Sequence, residues 1–114
     1  MTTYTTINEG STFYHDYAFF KEDNTTPLDL IESVQYIVTD GTDIVVNWTD
    51  LGVLDSGRIT ISGDINRIDP VGRNMRVILM VVVHNGGKRI TVETQYMIQD
   101  LKTITPTLVF PTIP

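Results

Sequence analysis

Between Arg89 and Ile98 the chain alternates without a break. Ile90, Val92, Thr94, Tyr96 and Ile98 share one side, while Arg89, Thr91, Glu93, Gln95 and Met97 share the other. A period of two sustained over ten residues is a β-strand with one face in a core. Shorter copies of the pattern place Ile59 and Ile61 inward in Arg58–Ser62, and Val34, Tyr36 and Val38 inward in Ser33–Thr39. Asp40-Gly41 and Asn85-Gly86-Gly87 separate neighbouring runs and supply the positive φ that tight hairpins require. Asp55-Ser56-Gly57 and Asp69-Pro70-Val71-Gly72 mark two more connections. The pattern predicts seven strands: Tyr4–Asn8, Thr12–Phe20, Ser33–Thr39, Asp43–Trp48, Arg58–Ser62, Met75–His84 and Lys88–Ile98. One helical turn at Leu28–Ser33 is the only helical segment that fits. Short strands at this spacing read as an all-β sandwich or barrel.

Two stretches depart from simple alternation. Val77-Ile78-Leu79-Met80-Val81-Val82-Val83 is apolar on both faces, where an antiparallel strand of an isolated sandwich carries polar residues outward. Either a loop or terminal arm covers the outer face, or another subunit does. We assign Ile78, Met80 and Val82 to that contact row. The second stretch is the C-terminal segment 103–114. Pro106, Pro111 and Pro114 make it extended, and twelve extended residues span about 35–40 Å. It carries no charge after Lys102, yet holds Leu108, Val109, Phe110 and Ile113, which belong in an apolar groove of this chain or of a neighbour. Residues 1–102 are thus expected to form the β-sandwich domain, and 103–114 an extended apolar arm.

Composition narrows the function. The chain has 114 residues, the size of one domain that buries roughly 65% of its unfolded surface. It has no cysteine, which excludes disulfides, zinc thiolates and cysteine nucleophiles. A net charge of −6 with scattered basic residues argues against nucleic acid as a partner. No run approaches the roughly 20 apolar residues that span a bilayer, and the N-terminus lacks the pattern of a signal peptide, so no membrane partner and a cytoplasmic site of synthesis are expected.

Candidate chemistry is sparse. His15 and His84 are the only histidines, and both read as structural or exposed. Asp40-Gly41-Thr42-Asp43 and the Asp64/Asp69 pair lack the spacing that wraps calcium. Asn24-Thr25-Thr26 and Asn47-Trp48-Thr49 match the N-glycosylation pattern by coincidence in a Thr-rich chain. Trp48, the only tryptophan, reads as a core or interface plug in preference to a sugar-stacking platform. The expectation is a protein without catalysis, metal or cofactor.

Gly10-Ser-Thr-Phe13 and Phe20-Lys-Glu-Asp-Asn-Thr-Thr-Pro-Leu-Asp-Leu-Ile-Glu-Ser-Val-Gln-Tyr36 resemble the opening of small immunoglobulin-like domains in tailed-bacteriophage virion proteins. Pro27-Leu28-Asp29-Leu30 is the most distinctive piece, and Ser56–Ile61, Arg76–Leu79 and the Gly86-Gly87 hairpin continue the pattern. The resemblance covers about residues 10–100 and implies an immunoglobulin-like antiparallel β-sandwich. It implies a structural virion protein, assembled in the host cytoplasm: a capsid cement or decoration protein, or a head–tail or tail adaptor. Partners would be other virion proteins and copies of itself in a homo-oligomer. A glycan-binding, adhesin-like module is the alternative.

Overall fold

The structure, a computed structural model, describes residues 5–68 and 73–100. It is all-β there, with seven strands and no helix: β1 (Thr5–Asn8), β2 (Phe13–Ala18), β3 (Ile31–Thr39), β4 (Ile44–Gly52), β5 (Ser56–Ile61), β6 (Met75–His84) and β7 (Lys88–Gln99). Five strands form one sheet in the order β1-β7-β6-β3-β4, and β2 and β5 form the other. Neighbours are antiparallel except β1, which runs parallel to β7.

Every expected strand is present, and β2, β3, β4 and β5 each differ from the expected bounds by two to four residues at one end. β4 continues past Trp48 because a bulge resets its phase: between the pairs Tyr36↔Thr49 and Val38↔Val46, Asn47 and Trp48 together oppose Ile37. The expected helical turn at Leu28–Ser33 is not formed. Leu28 donates its N–H to the Phe19 carbonyl, Leu30 bends at φ 55°, and Ile31 already pairs with His84. The arm expected at 103–114 lies outside the described residues.

The hairpins form where the turn chemistry sits. Asp40 Oδ1 accepts the N–H groups of Thr42 and Asp43 at 2.9 and 2.7 Å, closing the β3–β4 turn. Between β6 and β7, Asn85, Gly86 and Gly87 all take positive φ, and Glu32 Oε2 accepts the N–H of both glycines.

The two sheets share one core. Phe13, Ile59 and Ile61 from the smaller sheet pack with Val34, Tyr36, Val38, Ile78, Met80, Val82, Tyr96 and Ile98 from the larger. Phe13 stacks on Tyr96 with ring centroids 3.9 Å apart. The buried side chains of Asn66 and Arg76 are hydrogen-bonded, as a low-dielectric setting demands. The buried Asn66 accepts from the Tyr96 hydroxyl at 2.6 Å, donates Nδ2 to the Ser11 carbonyl, and offers its own carbonyl to Gly10 N–H. Arg76, 4% exposed, spends its guanidinium on the carbonyls of Ile65, Arg67, Arg73 and Met75. These contacts tie the loop after β5 to β6 and to the start of the chain.

One assignment reverses. Ile78, Met80 and Val82 are 0–2% exposed and lie in the core, so they are not an outward contact row. Their cross-strand partners Thr94, Val92 and Ile90 belong to the face of β7 that carries Tyr96, and paired residues share a face. The outward row of β6 is Val77, Leu79, Val81 and Val83.

Candidate interaction surface

Strand pairing defines the outer face of the larger sheet. Val77 is flanked by Thr39 and Gln95, Leu79 by Ile37 and Glu93, Val81 by Gln35 and Thr91, and Val83 by Ser33 and Arg89. All four β6 residues are partly exposed. The β4 bulge brings Trp48 onto this side beside Ile37, and Ile44 pairs with Thr39. The result is a partly exposed apolar stripe along β6, flanked at mid-sheet by Trp48, while Ile37 between them is only 7% exposed. Trp48 is 49% exposed, which removes the core half of the core or interface plug that the sequence suggested.

The opposite outer face is finished for water. Tyr14, Asp16 and Ala18 of β2 lie across from Thr60, Arg58 and Ser56 of β5. Arg58 Nε donates to Asp16 Oδ1 at 2.6 Å, and its guanidinium sits 5.2 Å from the Tyr14 ring centre. The hydrogen bond from Arg58 holds the Asp16 carboxyl below its ordinary range. As an exposed pair it adds little stability. The contrast between the two faces is the clearest functional signal in the molecule.

A second group of exposed apolar residues lies in connecting segments: Phe20, Leu30, Val53 and Leu54. Phe20 also borders a cleft of about 560 Å³ with Leu28, Ile90 and the polar residues Lys21, Asp29 and Lys88. Alternation marked none of the four as exposed, since isolated apolar residues in loops have no periodicity to read.

The residues considered for chemistry are engaged elsewhere. His15 sits half-buried on the row of β2 that holds Phe13 and Tyr17, and burial pushes its pKa down. His84 ends β6, opposite Lys88. Asp40 and Asp43 both bind Arg73 Nη1, at 3.2 and 2.5 Å. The turn N–H groups of Asp43 and Thr42, with Arg73, lower Asp40 to about 2. Asp64 borders a cleft of about 270 Å³ with Arg67, Arg73 and Arg76. Asp69 lies outside the described residues. Among the described residues no three His, Asp or Glu side chains gather as a metal site would require. Leu108, Val109, Phe110 and Ile113 also lie outside them.

Comparison of the chain with protein-family models, curated proteins and solved structures gave no match.

Proposed function

We propose that this chain is an immunoglobulin-like module that acts by protein–protein contact and not by catalysis, as a structural protein of a tailed-phage virion. Cement or decoration protein and head–tail or tail adaptor are the roles the sequence resemblance favours. The strand order supports the immunoglobulin-like reading: β1 joins β7 in parallel at one edge of a β1-β7-β6-β3-β4 sheet, and β2 pairs with β5 across the core.

The observation that carries the reading is the apolar stripe of Val77, Leu79, Val81, Val83 and Trp48 on one outer face, opposite a polar, ion-paired face. Burying one such side chain contributes roughly 1.5–3 kcal/mol at most. A stripe one strand wide makes a contact weak alone and strong when many copies repeat it in a symmetric shell. Size-exclusion chromatography with light scattering on the full chain and on Leu79→Glu tests it. A defined oligomer that becomes monomeric on substitution is the expected result. A monomer in both forms refutes self-contact through this face.

The exposed Trp48 favours a second reading, a glycan-binding platform. A shift of tryptophan emission on titration with oligosaccharides, in a monomeric protein, would install it in place of the first.

A further inference from the structure

The exposed apolar side chains of the connecting segments gather at one end of the sandwich. Asn85 N–H, in the β6–β7 turn, donates to the Leu30 carbonyl and joins that turn to the segment between β2 and β3. Phe19 N–H donates to the Asp55 carbonyl, which brings the β4–β5 connection alongside. Phe20, Leu30, Val53 and Leu54 therefore share this end. Leu54 and Leu30, at 67% and 66%, are the most exposed large apolar residues described. Scattered exposed apolar residues are ordinary, but four at one end beside a cleft mark a contact.

This end carries a projection and a hollow. The projection is Val53-Leu54. Gly52 turns the chain into it at φ 91°, with its N–H on Asp50 Oδ1 at 2.8 Å, and the Asp55 carbonyl anchors the other side. The hollow is the cleft of about 560 Å³ bordered by Phe20, Leu28 and Ile90, and beyond Ile90 on the same row Val92 is exposed. Its walls are tied by Lys21 N–H on the Thr26 carbonyl and by the two hairpin glycines on Glu32. Both shapes are thus set before a partner arrives, which lowers the ordering cost of binding. Charge separates them. Arg58 and Arg73 are ion-paired and Arg76 bonds carbonyls, while Lys88 and Arg89, both on the rim of the cleft, have no partner among the described residues. On the β2–β3 wall Lys21 is paired with Asp29, and Glu22 reaches neither free cation. The Asp55 carboxylate, at the foot of the projection, is likewise unpartnered among the described residues.

We propose that two copies of the chain dock end to end about a two-fold axis. Each inserts Val53-Leu54 into the other's cleft and sets Asp55 against Lys88 and Arg89. A projection beside a hollow on one surface is what a two-fold contact needs, because an axis between them carries each onto the other. Copies of net charge −6 repel unless acid meets base where they touch, and this end supplies both. Two side chains in one cleft make a small contact. The pair therefore forms at roughly 0.1–1 mM protein and comes apart on a dilute column. Repetition within an assembly supplies the missing concentration. The contact uses neither β6 nor Trp48, so it is independent of the outer-face stripe.

Sedimentation equilibrium of the Leu79→Glu chain isolates this contact, since that substitution removes the outer-face one. The expected result is a reversible dimer of twice the 12.8 kDa chain mass. In that background Leu54→Asn should raise the dissociation constant at least tenfold. So should Asp55→Arg, or Lys88→Asp together with Arg89→Asp, because each sets like charges face to face. All four side chains are exposed or partly exposed, so the fold does not depend on them. Mixing the Asp55→Arg chain with the Lys88→Asp, Arg89→Asp chain should restore the dimer, since each cleft then meets a projection of opposite charge. Absence of self-association up to about 1 mM overturns the proposal. A dimer indifferent to these substitutions, or a mixture that stays monomeric, also overturns it. A mixture that grows beyond two chains overturns the two-fold exchange.

Discussion

Replacing Tyr96 by Phe isolates one buried hydrogen bond. The ring is fully buried and stacked on Phe13, so its apolar contribution survives the change. What is lost is the donor to Asn66 Oδ1 at 2.6 Å. Burial pushes the phenol well above its ordinary pKa, so the hydroxyl stays a neutral donor throughout the working range. Asn66 is itself at 0% exposure, its Nδ2 and carbonyl already committed to Ser11 and Gly10, and Oδ1 is left without a donor. An orphaned buried acceptor costs about 1–3 kcal/mol. With a urea slope of roughly 1.5 kcal/mol per molar, a loss near 2 kcal/mol lowers the midpoint by about 1.3 M. Urea titration followed by Trp48 emission and far-ultraviolet circular dichroism measures it, with the slope unchanged. Asn66→Ala should cost more, because it also frees the Ser11 carbonyl, and Tyr96→Phe should then add almost nothing. A midpoint shift below about 0.3 M, or full additivity in the double variant, refutes the argument.

Arg76→Met should destabilise by about 3 kcal/mol or more, because the carbonyls of Ile65 and Arg67 lose their shared buried donor; thermal unfolding reads this out. Asp40 gives a pH signature. Its pKa falls from 3.8 unfolded to about 2 folded, so the unfolded chain binds the proton first. The stability it contributes is full above about pH 4 and fades as pH drops towards 2. Asp40→Asn should flatten that part of the stability–pH curve measured by urea titration, and an unchanged slope there would show that the turn does not hold the carboxylate.

Strand positions were legible because alternation and turn chemistry agree at every hairpin. The phase of β6 was also encoded, in the hairpin itself. With Asn85–Gly87 as the turn, His84 meets Lys88, and counting outward pairs Val82 with Ile90, Met80 with Val92 and Ile78 with Thr94. Since Ile90 to Ile98 read inward, Ile78, Met80 and Val82 had to follow. A strand apolar on both sides conceals its phase from periodicity alone, and only the partner reveals it. The outward position of Trp48 was not legible. It depends on the bulge at Asn47–Trp48, and a bulge adds one residue without changing composition. The exposure of Val92 was hidden for a different reason: alternation says which way a side chain points, not whether the opposing sheet is wide enough to cover it.

The outer row of β6 decides between its two explanations, cover from within the chain or contact with another. From Met75 to Val83 the only charged residue is Arg76, which is buried, although the chain has 22 acidic and basic residues to place. If nothing in the chain covers this row, Val81→Lys costs only β-propensity and a little packing, because the lysine stem lies along Leu79 and Val83 with its ammonium in water. The expected loss is then under about 1 kcal/mol by urea titration, while the oligomer dissociates. A stability loss of about 2 kcal/mol or more in dilute, monomeric protein would mean that the row is sealed within the chain. The apolar stripe would then be core, and its use as an assembly surface would fall with it.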